Sequence, residues 1–269
     1  MTATPIPRTL GLTLYGDLDM SAIDQSPPGR GRVTTFAREA ASLPKVWPFI
    51  AGQLAKGRQA YVVYSRLEEE DSAAGVKAVT KEFHNLEKIF APARVGLLHG
   101  RLSSGEKEAI MSGFAANRVQ VLLATSVVEV GLDVPNATVM LVENAEQFGL
   151  AQLHQLRGRV GRGAGDSYCI LISAGKTEEA RRRLKVMEET SDGFRIAEAD
   201  LQFRGPGELL GRQQSGAPPL RFGDLTRDGP LIERARNMVR GETGQPASYG
   251  CGAPVKVRLS SKEDESISK

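Results

Sequence analysis

The sequence predicts an α/β fold, and three observations predict it. Five short apolar runs bounded by turn residues recur: Ala60 to Tyr64, Val95 to Leu98, Val121 to Ala124, Val139 to Val142 and Tyr168 to Ile172. Each run is continuously apolar rather than alternating, which suits strands covered on both faces. Stretches of helical spacing lie between them, and strand, helix, strand repeated in this way builds an open parallel sheet with helices on both faces. In such a sheet ligands gather at the carboxyl ends of the strands.

Of the intervening stretches, Ser103 to Ala116 is the clearest helix. Ser103 and Ser104 offer capping hydroxyls, and Ile110, Met111 and Phe114 recur at intervals of three and four. After Ser173 the pattern changes to a charged helix, Thr177 to Thr190, and then to the Gly- and Pro-rich stretch FRGPGELLGRQQSGAPP, which reads as a separate small unit. From Ala247 the chain is polar and ends in SSKEDESISK, a composition expected to be disordered. No internal repeat of solenoid length is visible.

Composition narrows the function classes. A chain of 269 residues, 41% of them hydrophobic, can fill one sizeable core and a smaller one. No apolar run approaches the ~18 residues of a membrane span, and the first thirty residues lack the order of a signal peptide, so a cytoplasmic protein without membrane contact is expected. Cys169 sits inside the apolar run SYCILIS and Cys251 is far from it, so neither a disulfide nor a metal site is read. The net charge is only +3, yet Arg157, Arg159, Arg162, Arg181, Arg182, Arg183 and Lys185 crowd together, a local basicity that suits phosphate-bearing partners.

Two strings carry chemistry. In QLRGRVGRG, Gln155 to Gly163, Arg159 and Arg162 are three apart, so on a helix they emerge from one face, with Gly158 and Gly161 leaving their surroundings uncrowded. Two guanidiniums so placed can grip a polyphosphate, although a solvated basic face is the ordinary fate of helical arginines. In ATSVVEVGLDVPNA, Thr125 and Ser126 put hydroxyls at a strand's carboxyl end, and Gly131 and Asp133 add a flexible point and a carboxylate that can accept from ribose hydroxyls. Taken alone, VGLDVP is equally an ordinary turn with Asp133 as a cap.

Together these strings resemble the last conserved motifs of superfamily 2 helicases. TATPIPRTL, YGDLDMSAID, LLHGRLSSGEKEAIM, the Ala124 stretch and FGLAQLHQLRGRVGRG followed by SYCILIS resemble the RecG family of bacterial fork-remodelling DNA helicases over roughly Thr2 to Gly216. The resemblance implies a RecA-like fold of the P-loop NTPase type over 31–175, a helical hairpin and translocation element over 176–246, the end of a first motor domain and linker over 1–30, and a tail over 247–269. It implies that ATP, with Mg2+ held elsewhere, sits between two motor domains. Arg159 and Arg162 fall at the arginine-finger positions, where such groups contribute ~10³ to 10⁵ in turnover in related hydrolases. Gln155, Gly131 and Asp133 fall at nucleotide-lining positions. Thr2, Thr4, His99, Gly100 and Thr125 fall in segments that couple to or touch nucleic acid, with a strand-end histidine satisfied by backbone the bland alternative for His99. Arg183, Arg204 and Gln214 match the element that turns domain closure into movement along duplex DNA. The implied partner is branched DNA, forks and Holliday junctions, in a nucleoid-associated bacterial setting.

Two strings are decoys. Gly175, Lys176 and Thr177 imitate the end of a phosphate-binding loop, but the pattern requires glycine at 170, where Ile170 stands in mid-strand. Glu143 closes VMLVEN as a magnesium carboxylate would, but no Asp precedes it, so it reads as a strand-end polar residue. The expectation is therefore half a motor, with Met1 an internal methionine, the first motor and wedge domains elsewhere, and no DNA-stimulated ATPase from the chain alone. The other readings are a transcription-repair coupling factor, whose motor is alike, and a non-catalytic DNA-binding module.

Overall fold

The computed structural model describes residues 29–64, 73–125, 134–175 and 177–204, together with 228, 231, 234, 235 and 238. Six strands form one parallel sheet: β1 (Val33–Glu39), β2 (Gln59–Tyr64), β3 (Val95–Leu98), β4 (Val121–Thr125), β5 (Ala137–Glu143) and β6 (Ser167–Ser173). Their order across the sheet is β1-β6-β5-β2-β4-β3. All five apolar runs are strands in place. The sixth, β1, has the sequence VTTFARE and lies at an edge with most of its residues half-buried or exposed, so it needs no continuous apolar run. Its β-branched start was the available signal.

Among the described residues six α-helices connect and cover the strands: α1 (Leu43–Ala55), α2 (Ala73–Phe90), α3 (Ser104–Ala115), α4 (Leu150–Arg157), α5 (Glu178–Glu189) and α6 (Gly193–Arg204). Side chains alternate along each strand, so Ala60 and Val62 meet Val46 and Ile50 of α1 and Leu86 and Phe90 of α2 on one face. Tyr61 and Val63 meet the other face, where Met111 and Phe114 of α3, Leu150 and Leu153 of α4, Leu184 and Met187 of α5 and Ile196 of α6 share one core. The expected separate unit after Ser173 is therefore revised for residues 177–204: α5 and α6 have no core of their own and complete that of the sheet.

Start signals are met where the sequence places them. Ser103 caps α3 in a reciprocal box, its Oγ accepting from the Glu106 amide at 3.3 Å while the Glu106 carboxylate accepts from the Ser103 amide at 2.8 Å. Thr177 Oγ1 accepts from the Ala180 amide at 3.3 Å and so caps α5. Its partner in the decoy, Ile170, is buried in β6. Among the described residues no helix is long and apolar enough to cross a membrane. The 1–28 and 239–269 stretches lie outside the described residues.

Candidate functional site

Leu150, Leu153 and Leu156 bury one face of α4, and the helix stops at Gly158. The chain then turns: the Arg159 amide donates to the Leu156 carbonyl at 3.0 Å, and Val160 to the Arg157 carbonyl at 3.3 Å. Gly161 has φ of +77° and packs so tightly on Val33 that a Cβ would collide with it. Arg159 and Arg162 thus flank a turn rather than project from a helix. Gly161 serves close approach to β1, not open space. Both arginines are half-buried. Arg162 Nε donates to the Gly158 carbonyl at 3.2 Å, which fixes the fork. Gln155 is exposed on the last turn of α4.

The sequence leads one to expect ligands at the carboxyl ends of the strands, and this turn lies at the other end. Helix α4 leaves the carboxyl end of β5 and runs back along the sheet, so the arginine turn lies at the amino ends. The Gly31 amide donates to the Gly163 carbonyl at 2.7 Å, and the Ser167 amide to the Arg32 carbonyl at 2.9 Å, just before β1 and β6 begin. Gly163 itself lies against the Pro135 carbonyl, just before β5.

His99, Gly100 and Thr125 stand at the carboxyl ends of β3 and β4. A seven-residue strand such as β5 separates the two ends by about 20 Å. Thr125 is 1% exposed and its Oγ1 is buried without a hydrogen-bond partner. Gly100 is exposed, and its carbonyl accepts from Lys107 Nζ at 2.8 Å.

Beside Thr125, in register across β2, stand Tyr64 and Glu143. The Tyr64 hydroxyl donates to the Glu143 carboxylate, whose Oε1 is buried and unpartnered. Burial pushes the Glu143 carboxyl up, with the Tyr64 hydrogen bond opposing. Glu143 is accordingly the strand-end polar residue the sequence suggested.

One member of the basic cluster is not surface charge. Arg157 is 5% exposed, and its Nη1 donates to the Met187 carbonyl at 3.0 Å and the Thr190 carbonyl at 2.8 Å, the terminal carbonyls of α5. Its Nη2 meets His154 Nδ1 at 3.0 Å. Burial, then the neighbouring Arg157 charge, hold the His154 imidazole below its ordinary range, and a neutral ring can accept that bond. The stretch LHQLR gave a hint only in its spacing, since His154 and Arg157 are three apart on one helix face.

Arg183, on α5, also turns inward. Its Nη2 donates to the Phe148 carbonyl at 2.6 Å and the Glu146 carbonyl at 3.0 Å, in the turn that leads into α4. Two guanidiniums therefore stitch α5 to both ends of α4. Thr2, Thr4, Gly131, Asp133 and Gln214 lie outside the described residues, and of Arg204 only the backbone, the last residue of α6, is described.

Two family models match the chain: the helicase conserved C-terminal domain over residues 45–164, and domain 3, C-terminal, of the ATP-dependent DNA helicase RecG over residues 190–243. An ATP-dependent DNA helicase RecG of Synechocystis is 47% identical over 259 residues, covering 96% of this chain and 31% of that protein. One from Bacillus subtilis is 46% identical over 237 residues, covering 88% of this chain and 35% of that protein. A structure of RecG bound to a three-way DNA junction superposes with a TM-score of 0.68 at 45% identity, over 87% of this chain and 30% of that one. The chain spans about a third of the length of the curated relatives it matches.

Proposed function

Because this chain belongs to the RecG family of ATP-dependent DNA helicases and matches its carboxy-terminal part, we propose that it supplies the second motor domain and the translocation hairpin of an enzyme that remodels branched DNA. Forks and Holliday junctions are the substrates this reading assigns, and a first motor domain and a wedge are the partners it requires. The single observation that carries the reading is the Arg157 guanidinium, which joins the helix ending in the arginine turn to the last carbonyls of the hairpin helix α5.

The fit of a nucleotide to this chain rests on the donor set. Arg159 and Arg162 present guanidiniums from one rigid turn, half-exposed at the amino end of the sheet, and that geometry suits γ-phosphate oxygens. ATP bound there would supply the phosphoryl group whose transfer drives domain closure. Gln155, Gly131 and Asp133 would line it from this side, and its Mg2+ would be held by the first motor domain. The described residues contain no group of metal ligands that could hold one themselves.

The chain's own residues then have distinct tasks. Arg159 and Arg162 stabilise charge developing on the transferred group. Thr125, His99 and Gly100, at the other end of the sheet, are the residues this reading assigns to the nucleic-acid backbone, with His99 and Gly100 accessible and the Thr125 hydroxyl buried. Arg157 and Arg183 hand any displacement of α4 to α5 and α6, and the reading assigns to Arg204 and Gln214 the passing of that motion to duplex DNA. The same reading keeps 176–246 as a functional element distinct from 31–175, with its residues 177–204 packed on the core of the sheet.

The test joins this chain to the first motor and wedge domains of a relative and measures DNA-stimulated ATP hydrolysis and fork unwinding. Arg159→Ala is expected to lower turnover by ~10³ or more with DNA binding retained. Full turnover in that variant would overturn the reading.

A further inference from the structure

The amino ends of β2, β4 and β3, beyond the arginine turn, carry a second basic feature that the motor reading leaves unused. Residues 56–59, 91–96, 116–120 and 134–137 make up this rim. They carry four cations, Lys56, Arg58, Arg94 and Arg118, and no carboxylate. All four are exposed, and none makes an ion pair or side-chain hydrogen bond among the described residues. Other basic surfaces of the molecule differ. On α5, Arg181, Arg182 and Lys185 each pair with a glutamate, and α2 sets Lys81 and Lys88 beside Glu82 and Glu87.

Helices α1, α2 and α3 all end at this rim, and their dipoles favour cations there. That effect is too small to account for the charge. Each helix end is equivalent to about half a negative charge, so three ends offset roughly one and a half of four positive charges. The rim stays net positive.

The backbone that carries these cations is also pinned by amide side chains. Gln59 Nε2 donates to the Phe114 carbonyl at 2.6 Å and the Val119 carbonyl at 2.8 Å, which fixes the turn bearing Arg118. Asn136 Nδ2 donates to the Gly57 carbonyl at 2.7 Å, beside Arg58. Gln120 Oε1 accepts from the Arg94 amide at 2.7 Å. The strands that launch Arg58 and Arg94 flank β4, whose approach carries Arg118, so the backbone positions of the three arginines step across the sheet at about 4.8 Å per strand, with the Arg58 guanidinium reaching to Gly165. That is a strip of positive charge facing solvent on a pinned backbone.

We propose that this rim is a second nucleic-acid contact, which takes the phosphate backbone of a duplex across the amino ends of β2, β4 and β3. The contact is on the opposite end of the sheet from Thr125 and His99, so it holds a different stretch of DNA from the one the motor track would hold. Three of the four cations are arginine, whose planar fork matches phosphate oxygens. Exposed arginines that meet phosphates read charge and not base sequence, so binding here is sequence-independent.

The test uses the 269-residue chain without ATP and a fluorescein-labelled blunt duplex, with affinity measured by anisotropy across a salt series. Arg94→Gln with Arg118→Gln is compared with Lys45→Gln with Lys81→Gln, which removes the same charge from α1 and α2. Loss of two phosphate contacts is expected to make the slope of log affinity against log salt shallower by about 2 for the rim pair, and to leave the control pair on the parent line. Matching thermal melts show that each variant is folded. Equal slopes for parent and rim pair, or equal losses in both pairs, would overturn the proposal. So would an unchanged DNA slope together with lost binding to polyglutamate, which would make the occupant an acidic protein surface. Because no ATP is present, failure here leaves the motor reading standing, and failure of Arg159→Ala leaves this one standing.

Discussion

The hairpin helix α5 is held along two seams that use the same kinds of side chain in opposite ways. Along the inner seam, Arg157 and Arg183 reach out of water to donate to backbone carbonyls at 2.6 to 3.0 Å. Along the outer seam, the carboxylate of Glu188 accepts from the Ala37 amide at 2.7 Å and from Arg38 at 3.0 Å, and Arg181 pairs with Glu39 at 2.9 Å, all in contact with solvent. Distances are alike in the two seams, but the consequences differ. A buried guanidinium removed from its carbonyls leaves acceptors that water cannot reach, whereas an exposed pair dissolves into two hydrated ions. The inner seam therefore binds α5 to α4 out of reach of water, and the outer one covers an edge strand.

The largest effect should come from Arg157→Ala, which strands the Met187 and Thr190 carbonyls and opens a void beside α4. A loss of about 3 kcal/mol in unfolding free energy is expected, read from the urea midpoint. Arg157→Lys should recover only part of it, because an ammonium cannot span both carbonyls with a planar fork. Arg183→Ala should follow at about 2 kcal/mol, since Nη2 alone serves both acceptors and the site is nearer to water. If either substitution proved as mild as an outer-seam change, the distinction between the seams would collapse.

Acid offers a way to break the inner seam without a substitution. The His154 ring is held neutral by burial and by Arg157, so its folded pKa lies below the unfolded value of about 6.5. Stability from this group is complete above that unfolded value and is lost as pH falls through the lowered folded one. A urea midpoint that declines with acid in the parent, and declines less in His154→Gln, is the expected result. Identical pH profiles would show that the imidazole is not part of the seam.

The same contrast explains what the sequence could and could not disclose. Continuous apolar runs located β2 to β6, because burial on both faces writes itself into residue type. The edge strand β1 escaped, since VTTFARE is half-solvated and lacks that signature. Arg159 and Arg162 were legible as residues but not as geometry. Their spacing implied a helix face, whereas Gly158 stops the helix and Gly161 is demanded by contact with Val33. Which end of the sheet they occupy was not legible either, because it depends on α4 running back along β5. Arg157 was hidden for a deeper reason. Its acceptors are main-chain carbonyls thirty and more residues away, and a carbonyl has no letter in the sequence.

The outer seam should yield the smallest effects. Glu188→Ala frees the Ala37 amide on an edge strand that water already reaches, so a loss of about 1 kcal/mol is the most it should cost. Removing Arg181, Glu39 or both in a double-mutant cycle should return a coupling of about 0.5 kcal/mol at low salt. In molar salt, where the screening length is about 3 Å, that coupling should vanish, while the cost of Arg157→Ala should persist. A salt-resistant coupling above about 1.5 kcal/mol would mean that the outer seam is also rigid, and that α5 is clamped from both sides rather than driven from one.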